Sequence, residues 1–184
     1  MTASRLFTPV LIGGCIIVLA SFGIRATFGL FQIPIASEFD WPRAEFSLAI
    51  AIQNLAWGIG APLFGAFAER FGDRRAIVLG AAVYMAGLLL STIATTPVEH
   101  QVLEFLVGMG VAGTGLGVIL AVVGRAASDK HRSMALAIVT AAGSVGQILA
   151  PPITQALLAR LHWGDVFVVF SLAILASLLF LPLL

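Results

Sequence analysis

The sequence predicts an all-α membrane protein, built as a polytopic bundle of six transmembrane helices. Of its 184 residues, 60% are hydrophobic and only 10% are charged, whereas about a quarter of the residues of a soluble domain are charged. The mean hydropathy is +1.06. Six apolar runs reach the roughly 20 residues that a helix needs to cross a hydrocarbon core about 30 Å thick.

The six predicted spans follow one another with short polar turns between them, so we expect a single six-span domain over residues 1–184. Each run is long enough to form one helix across the bilayer, in which the backbone N–H and C=O groups bond to one another because lipid offers them no partner. The predicted bounds are Leu6 to Pro34, Phe46 to Ala68, Ala76 to Thr95, Gln101 to Gly124, Ser133 to Leu158 and Val166 to Leu184.

The distribution of basic residues predicts a cytoplasmic N-terminus, because cytoplasmic loops carry an excess of Lys and Arg. In this orientation the outer side holds only Arg43 and Arg160. The inner side holds Arg5, Arg70, Arg74, Arg75, Arg125, Lys130 and Arg132.

Arg25 is a permanent charge inside the first span, roughly 13 Å from its predicted outer end. Exposure to lipid at this depth costs about 2.5–3.5 kcal/mol. Three arrangements remain open: an ion pair with Glu104, the one acid inside a predicted span; an extended side chain that reaches the interface; or an arginine that faces a cavity and binds an anion with its planar guanidinium.

The fourth span reads VGMGVAGTGLGVILAVVG, in which Gly110, Gly113 and Gly117 recur at helical spacing. A glycine face of this kind lets a neighbouring helix approach closely. The same stretch contains G-x-G-x-x-G, starting at Gly108, but a dinucleotide site needs a strand before that motif. We therefore interpret these glycines as packing residues.

Composition and residue placement argue against several function classes. A net charge of +1 does not fit a nucleic-acid binder, which needs a basic face. His100, His131 and His162 fall in predicted loops, so no histidine, cysteine or carboxylate cluster is expected at membrane depth. Neither a catalytic triad nor a metal site can then be assembled. We expect no enzyme activity, no metal and no cofactor.

The turn after the second span reads GAFAERFGDRRAIVLG. This spacing of glycine, acid and basic residues resembles the signature of the major facilitator superfamily, except that Glu69 replaces the usual aspartate and Asp73 occupies a position that is often basic. The resemblance implies a tight turn and an interhelical acid–arginine network that gates the transporter. A plain positive-inside anchor is the alternative. The signature residues are Gly65, Glu69, Arg70, Gly72, Arg74 and Arg75.

A narrower resemblance concerns the segments GIRATFGLF and FDWPRAEFSLAIAIQNLAWG. They resemble bacterial relatives of the monocarboxylate transporters, which implies that Arg25 takes the place of a lysine that handles substrate and protons. Arginine stays charged at accessible pH, so it binds anions but carries protons poorly. The candidate substrate-binding residues are Arg25, Phe28, Gln32 and Asn54.

Two arguments select the other three candidates. Helical spacing places Phe28 and Gln32 on the face of Arg25, together with Ser21 and Gly29. Polar amides inside spans either form interhelical hydrogen bonds or contact a ligand. The span amides are Gln53, Asn54 and Gln147, and we assign only Asn54 to the site.

The family resemblance implies one half of a transporter with two six-span halves around a central site. We expect the N-terminal half of a secondary active transporter of the bacterial inner membrane. Its substrate is a small organic anion such as a monocarboxylate, it works by alternating access, and proton coupling is left open. Its partners are the bilayer and a second six-helix half, either a separate chain or another copy. The alternative is a non-transporting six-helix assembly protein, or an inactive truncated half-transporter.

Overall fold

The computed structural model describes residues 8–184 and contains six helical segments that are long and apolar enough to cross a membrane. Over this range there is no β-strand, so the predicted all-α, six-span fold is confirmed. Two short 3₁₀ helices cover Phe28–Phe31 and Leu178–Leu183. The α-helices are α1 (Pro9–Ala26), α2 (Gln32–Phe39), α3 (Arg43–Phe71), α4 (Asp73–Ser91), α5 (Pro97–Thr114), α6 (Leu116–Ala126), α7 (Arg132–Leu158) and α8 (Trp163–Ser177).

The first span consists of two α-helices separated by the 3₁₀ turn. At the break, the hydroxyl of Thr27 donates to the carbonyl oxygen of Ile24 at 2.7 Å, a local bond that competes with the helical ladder. A 3₁₀ helix repeats every three residues instead of every 3.6. The three residues predicted to share a face have different contacts: Arg25 bonds Asn54, Phe28 packs on Phe167 and Gln32 bonds Ser47.

The first span is also displaced from its predicted bounds. The predicted start at Leu6 lies outside the described residues. At the other end, Pro34 is tolerated in the first turn of α2, where a missing N–H costs nothing, and the span continues to Phe39.

The fourth span begins at Pro97, four residues before the predicted start. Thr96 and Glu99 form a capping box, in which the backbone N–H of Glu99 donates to the Thr96 hydroxyl at 3.3 Å and the N–H of Thr96 donates to the Glu99 carboxylate at 3.1 Å. These bonds satisfy backbone donors that have no partner inside the helix. His100 therefore lies inside α5, and its predicted loop position is wrong.

Glycines let α5 pack closely between α3 and α4. A Cβ atom built on Gly113 would lie 2.6 Å from the Cα of Gly80, and one on Gly110 would overlap the backbone of Tyr84. The close approach predicted for these two glycines is confirmed. It is wrong for Gly117, which has open space beside it, because extended backbone at Gly115 ends α5 before Gly117 is reached.

Side-chain bonds join the first and last spans at one end of the bundle. The carboxylate of Glu38 accepts hydrogen bonds from Nε2 of His162 at 2.8 Å and from Nε1 of Trp163. In the interior, the ring of Phe31 packs on that of Phe167 with centroids 4.6 Å apart. These contacts hold the first span, which carries Arg25, against α8.

Candidate functional site

Arg25 lies in the last turn of α1 and turns its side chain towards α3. Its Nη2 donates to Oδ1 of Asn54, and its guanidinium carbon lies 4.4 Å from the ring centroid of Trp57. Asn54 is itself oriented, because its Nδ2 donates to the carbonyl oxygen of Ile50 at 2.8 Å. A guanidinium over an indole ring is a favourable cation–π arrangement.

The structure shows neither an ion pair between Arg25 and Glu104 nor an Arg25 side chain extended to the membrane interface. Among residues 8–184 no carboxylate pairs with it, and Glu104 instead accepts a hydrogen bond from Nε2 of Gln53 at 2.7 Å. The guanidinium also stays near the middle of the 29-residue α3, at Asn54 and Trp57. It therefore does not reach for the membrane surface.

Several N–H donors of the Arg25 guanidinium are not used in hydrogen bonds within the described part of the chain. A guanidinium carries five N–H donors, and the described residues accept one hydrogen bond from it. Its Nε is buried and has no partner within that part of the chain. The side chain as a whole is only partly buried. An anion with two oxygen atoms matches the planar donor geometry of a guanidinium.

The four predicted substrate-binding residues do not all come together. Arg25 and Asn54 are in direct contact. Phe28 is 1% exposed, with its ring 5.8 Å from that of Phe167 in the core. Gln32 donates to the Ser47 hydroxyl at 3.2 Å, about two helical turns along α3 from Asn54. Substrate contact by Phe28 and Gln32 stays a prediction. In this structure their described contacts are with Phe167 and Ser47, not with Arg25.

Sequence reasoning missed Trp57. Its spacing contained a usable signal, since residues three apart on a helix share a face and Trp57 follows Asn54 by three. Indole side chains in membrane helices concentrate at the interfaces, so a tryptophan at mid-span was an indication of a specific contact.

The signature turn brings different residues together from those expected. Gly72 has φ of +97° and forms the turn between α3 and α4, whereas Gly65 lies inside α3. Nη2 of Arg125 pairs with the Asp73 carboxylate at 2.6 Å. Glu69 has no ion pair within residues 8–184. The acid that joins two helices here is therefore Asp73, at the start of α4.

The remaining arginines of the signature have separate contacts. Arg74 donates from Nη2 to the carbonyl oxygen of Pro182 at 3.1 Å, which connects α4 to the 3₁₀ helix after α8. The guanidinium carbon of Arg70 lies 5.3 Å from the ring centroid of Phe71. Arg75 is exposed at the same turn.

These features define a polytopic membrane protein with an unneutralised cation at the middle of a span and an acid–arginine bridge at the turn between its second and third spans. The chain belongs to the Major Facilitator Superfamily, whose sequence profile matches residues 13–184. This membership confirms the resemblance carried by the signature turn.

Curated relatives of the chain include proteins named as transporters. It is 30% identical to the uncharacterised transporter YcxA of Bacillus subtilis, over 97% of this chain and 44% of that protein. It is 28% identical to monocarboxylate transporter 13 of Bos taurus, over 82% and 35% of the two chains. With the methyl viologen resistance protein SmvA of Salmonella typhimurium the identity is 26%, over 89% and 31%. The chain thus spans less than half the length of these relatives.

A solved structure confirms the fold. The chain resembles the inward-open conformation of the xylose transporter XylE from E. coli with a TM-score of 0.72, at 17% identity. The match covers 96% of this chain and 46% of that structure. The bundle is therefore an N-terminal half of the superfamily fold, inserted in a membrane.

Proposed function

We propose that this chain is the N-terminal half of a secondary active transporter for small organic anions such as monocarboxylates. A second six-helix half completes the central site, and the two halves rock to give alternating access. The bias of Lys and Arg supports a cytoplasmic N-terminus, and the relative in Bacillus subtilis supports a bacterial inner membrane.

The observation that carries this proposal is the state of Arg25. It is half-buried, held by Asn54 and Trp57 at the middle of α3, and unneutralised among the described residues. A charge left at this depth is costly unless something compensates it. An anionic substrate supplies that compensation. The similarity to a monocarboxylate transporter supports a carboxylate as the anion.

A binding measurement tests the proposal directly. The full chain is reconstituted in lipid, and binding of radiolabelled L-lactate is measured for the wild type and Arg25→Gln. We expect at least about tenfold weaker binding in the variant, because a hydrogen bond to a charged group contributes about 1.5–3 kcal/mol. Arg25→Lys should bind at an intermediate level, since it keeps the charge but not the bidentate geometry.

Arg43→Gln is the matched control, because Arg43 is an exposed arginine at the start of α3 and should leave L-lactate binding unchanged. Equal binding by wild type and Arg25→Gln would contradict the proposal. Methyl viologen, an organic dication, serves as a competing probe. Stronger binding of methyl viologen than of L-lactate by the wild type would instead indicate a site for organic cations; the relative SmvA is named as a methyl viologen resistance protein.

A further inference from the structure

A second polar group is buried between α3 and α5, apart from Arg25. His100 and Glu104 lie one turn apart on α5 and are 2% and 1% exposed. The Nε2 atom of His100 and the Oε1 atom of Glu104 face each other at 3.7 Å. Both of these atoms are buried and lack a hydrogen-bond partner within residues 8–184.

This pair of facing atoms is unusual, because buried polar atoms are nearly always hydrogen-bonded. The distance of 3.7 Å exceeds the usual N–H···O range of about 2.7–3.2 Å. A carboxylate buried without a counter-charge is also costly. One proton added between the two atoms would remove both costs, since it neutralises the charge and creates a donor.

The surroundings of the pair contain few charges. From α3, Gln53 donates to Oε2 of Glu104 at 2.7 Å, and the ring of Phe46 stacks on His100 with centroids 5.5 Å apart. On α4, Tyr84 is fully buried, and its hydroxyl donates to the carbonyl oxygen of Ser21 at 3.2 Å. No lysine or arginine of the described chain pairs with Glu104.

An aromatic side chain covers the pair near the start of α5. Trp41, in the turn between α2 and α3, covers His100 with ring centroids 5.9 Å apart. Beside it, Nε2 of Gln101 donates to the Glu45 carboxylate at 2.7 Å. His100 lies near the start of α5, so a small movement of the Trp41 turn would open it to the aqueous side.

We propose that His100 and Glu104 form a buried proton-binding site. A proton from water binds Oε1 of Glu104, the 3.7 Å gap closes to hydrogen-bond distance, and the new O–H donates to Nε2 of His100, so that the charge of the site changes by +1. Arg25 cannot fill this role, because a guanidinium does not release its proton at accessible pH.

The proton site is connected to Arg25 through two consecutive residues of α3. Gln53 contacts Glu104, and Asn54 contacts Arg25. A change of charge at Glu104 that moves the backbone at Gln53 would also move Asn54, because the two residues are consecutive in α3. This connection rests on the proposed function; through it, anion binding and proton binding would affect each other, and the two effects would be equal, as linkage requires.

Infrared difference spectroscopy of the full chain in lipid tests the site without any substrate. We expect the C=O band of a protonated carboxylic acid to change with pH, to be absent in Glu104→Gln and to shift in pH midpoint in His100→Gln. Gln53→Met keeps the acid and removes its hydrogen bond, so it should shift the band frequency. This variant keeps the test decisive if Glu104→Gln does not fold.

Glu45→Gln is the matched control, since Glu45 is also a carboxylate that accepts from a glutamine amide at 2.7 Å, and its removal should leave the band in place. A band that does not respond to pH, or that persists in Glu104→Gln, would overturn the proton site. The connection to Arg25 is tested separately: L-lactate affinity should change about fivefold or more with pH and lose that dependence in Glu104→Gln. An infrared response without lactate binding would leave the proton site intact and contradict the proposed function.

Discussion

Among individual residues, Asp73 and Glu69 differ in what they contact, although both lie beside the same turn. Asp73 is the first residue of α4 and pairs with Arg125 in the last turn of α6. A negative charge at a helix N-terminus and a positive charge at a C-terminus are each favourable with respect to the helix dipole. The pair thus joins two helix ends whose dipoles already favour those charges.

The Asp73–Arg125 pair predicts a measurable coupling. We expect the double-mutant cycle of Asp73→Asn and Arg125→Gln to give a coupling free energy of about 0.2–1 kcal/mol, the usual range for exposed pairs, because Arg125 is 55% exposed. The measurement is the free energy of unfolding in mild detergent at low salt. Glu69→Gln combined with Arg125→Gln is the control and should give no coupling. A larger coupling for Glu69 would mean that Asp73 is not the acid that joins these helices.

At the scale of elements, α5 is held by its glycines, which allow contacts that no other residue could make. Gly108 faces the carbonyl oxygen of Gln53 on α3, while Gly110 faces the backbone of Tyr84 on α4. Close backbone approach of this kind gives van der Waals contact in a membrane, where burial from water supplies no driving force between helices. It also fixes the rotation of α5, and therefore the direction in which Glu104 points.

Two alanine substitutions in one stretch test this packing. Gly110→Ala should lower the free energy of unfolding by about 1–3 kcal/mol, as overpacking does, because the new methyl group meets backbone atoms of Tyr84 that cannot rotate away. Gly117→Ala is the matched control and should have little effect, since nothing lies within 4 Å of its added Cβ atom. The measurement is thermal unfolding in detergent. Equal effects of the two substitutions would contradict the packing described for α5.

The sequence predicted the spans but not their interruptions. Apolar length alone identifies a membrane helix, so the six spans were accessible from composition. The breaks at Thr27 and Gly115 depend on local hydrogen bonds and on close neighbours, and these are not visible in a hydropathy pattern. The start of α5 was predictable, because Thr-Pro-Val-Glu at residues 96–99 has the spacing of a capping box with proline at the first helical position.

The candidate site was predictable only in part. Arg25 was evident from its charge within an apolar run, and Asn54 from its amide. Their contact, and the place of Trp57 over which the guanidinium stacks, depend on how α1 is rotated against α3. The His100–Glu104 pair was missed because the start of α5 was placed too late. Phe28 was assigned to the site from helical spacing, and its burial against Phe167 depends on packing that the sequence does not show.

At the scale of the whole molecule, the helices bury very different shares of their surface. α3 and α7 are the least buried of the six spans. The exposed face of α7 carries large apolar residues such as Ile148 and also Thr140 and Ser144, whose hydroxyls donate to backbone carbonyls one turn earlier at 3.0 and 3.3 Å. Such a face is compatible with lipid and also with a second set of helices, since small residues permit close approach.

The proposed function predicts that the chain alone binds L-lactate but does not transport it, because one half cannot alternate access around a site between two halves. The measurement is uptake of radiolabelled L-lactate into liposomes that contain only this chain, compared with protein-free liposomes. Uptake above the protein-free level would show that the chain, alone or as two copies, is sufficient for transport.

A labelling experiment detects copies that pair through α7. Cys15 is replaced by serine, and single cysteines are introduced as Ser144→Cys and, on the exposed apolar face of α8, as Leu172→Cys. A lipid-soluble maleimide should label both equally if the chain is monomeric, whereas protection of Ser144→Cys alone would mean that a second copy covers this face of α7.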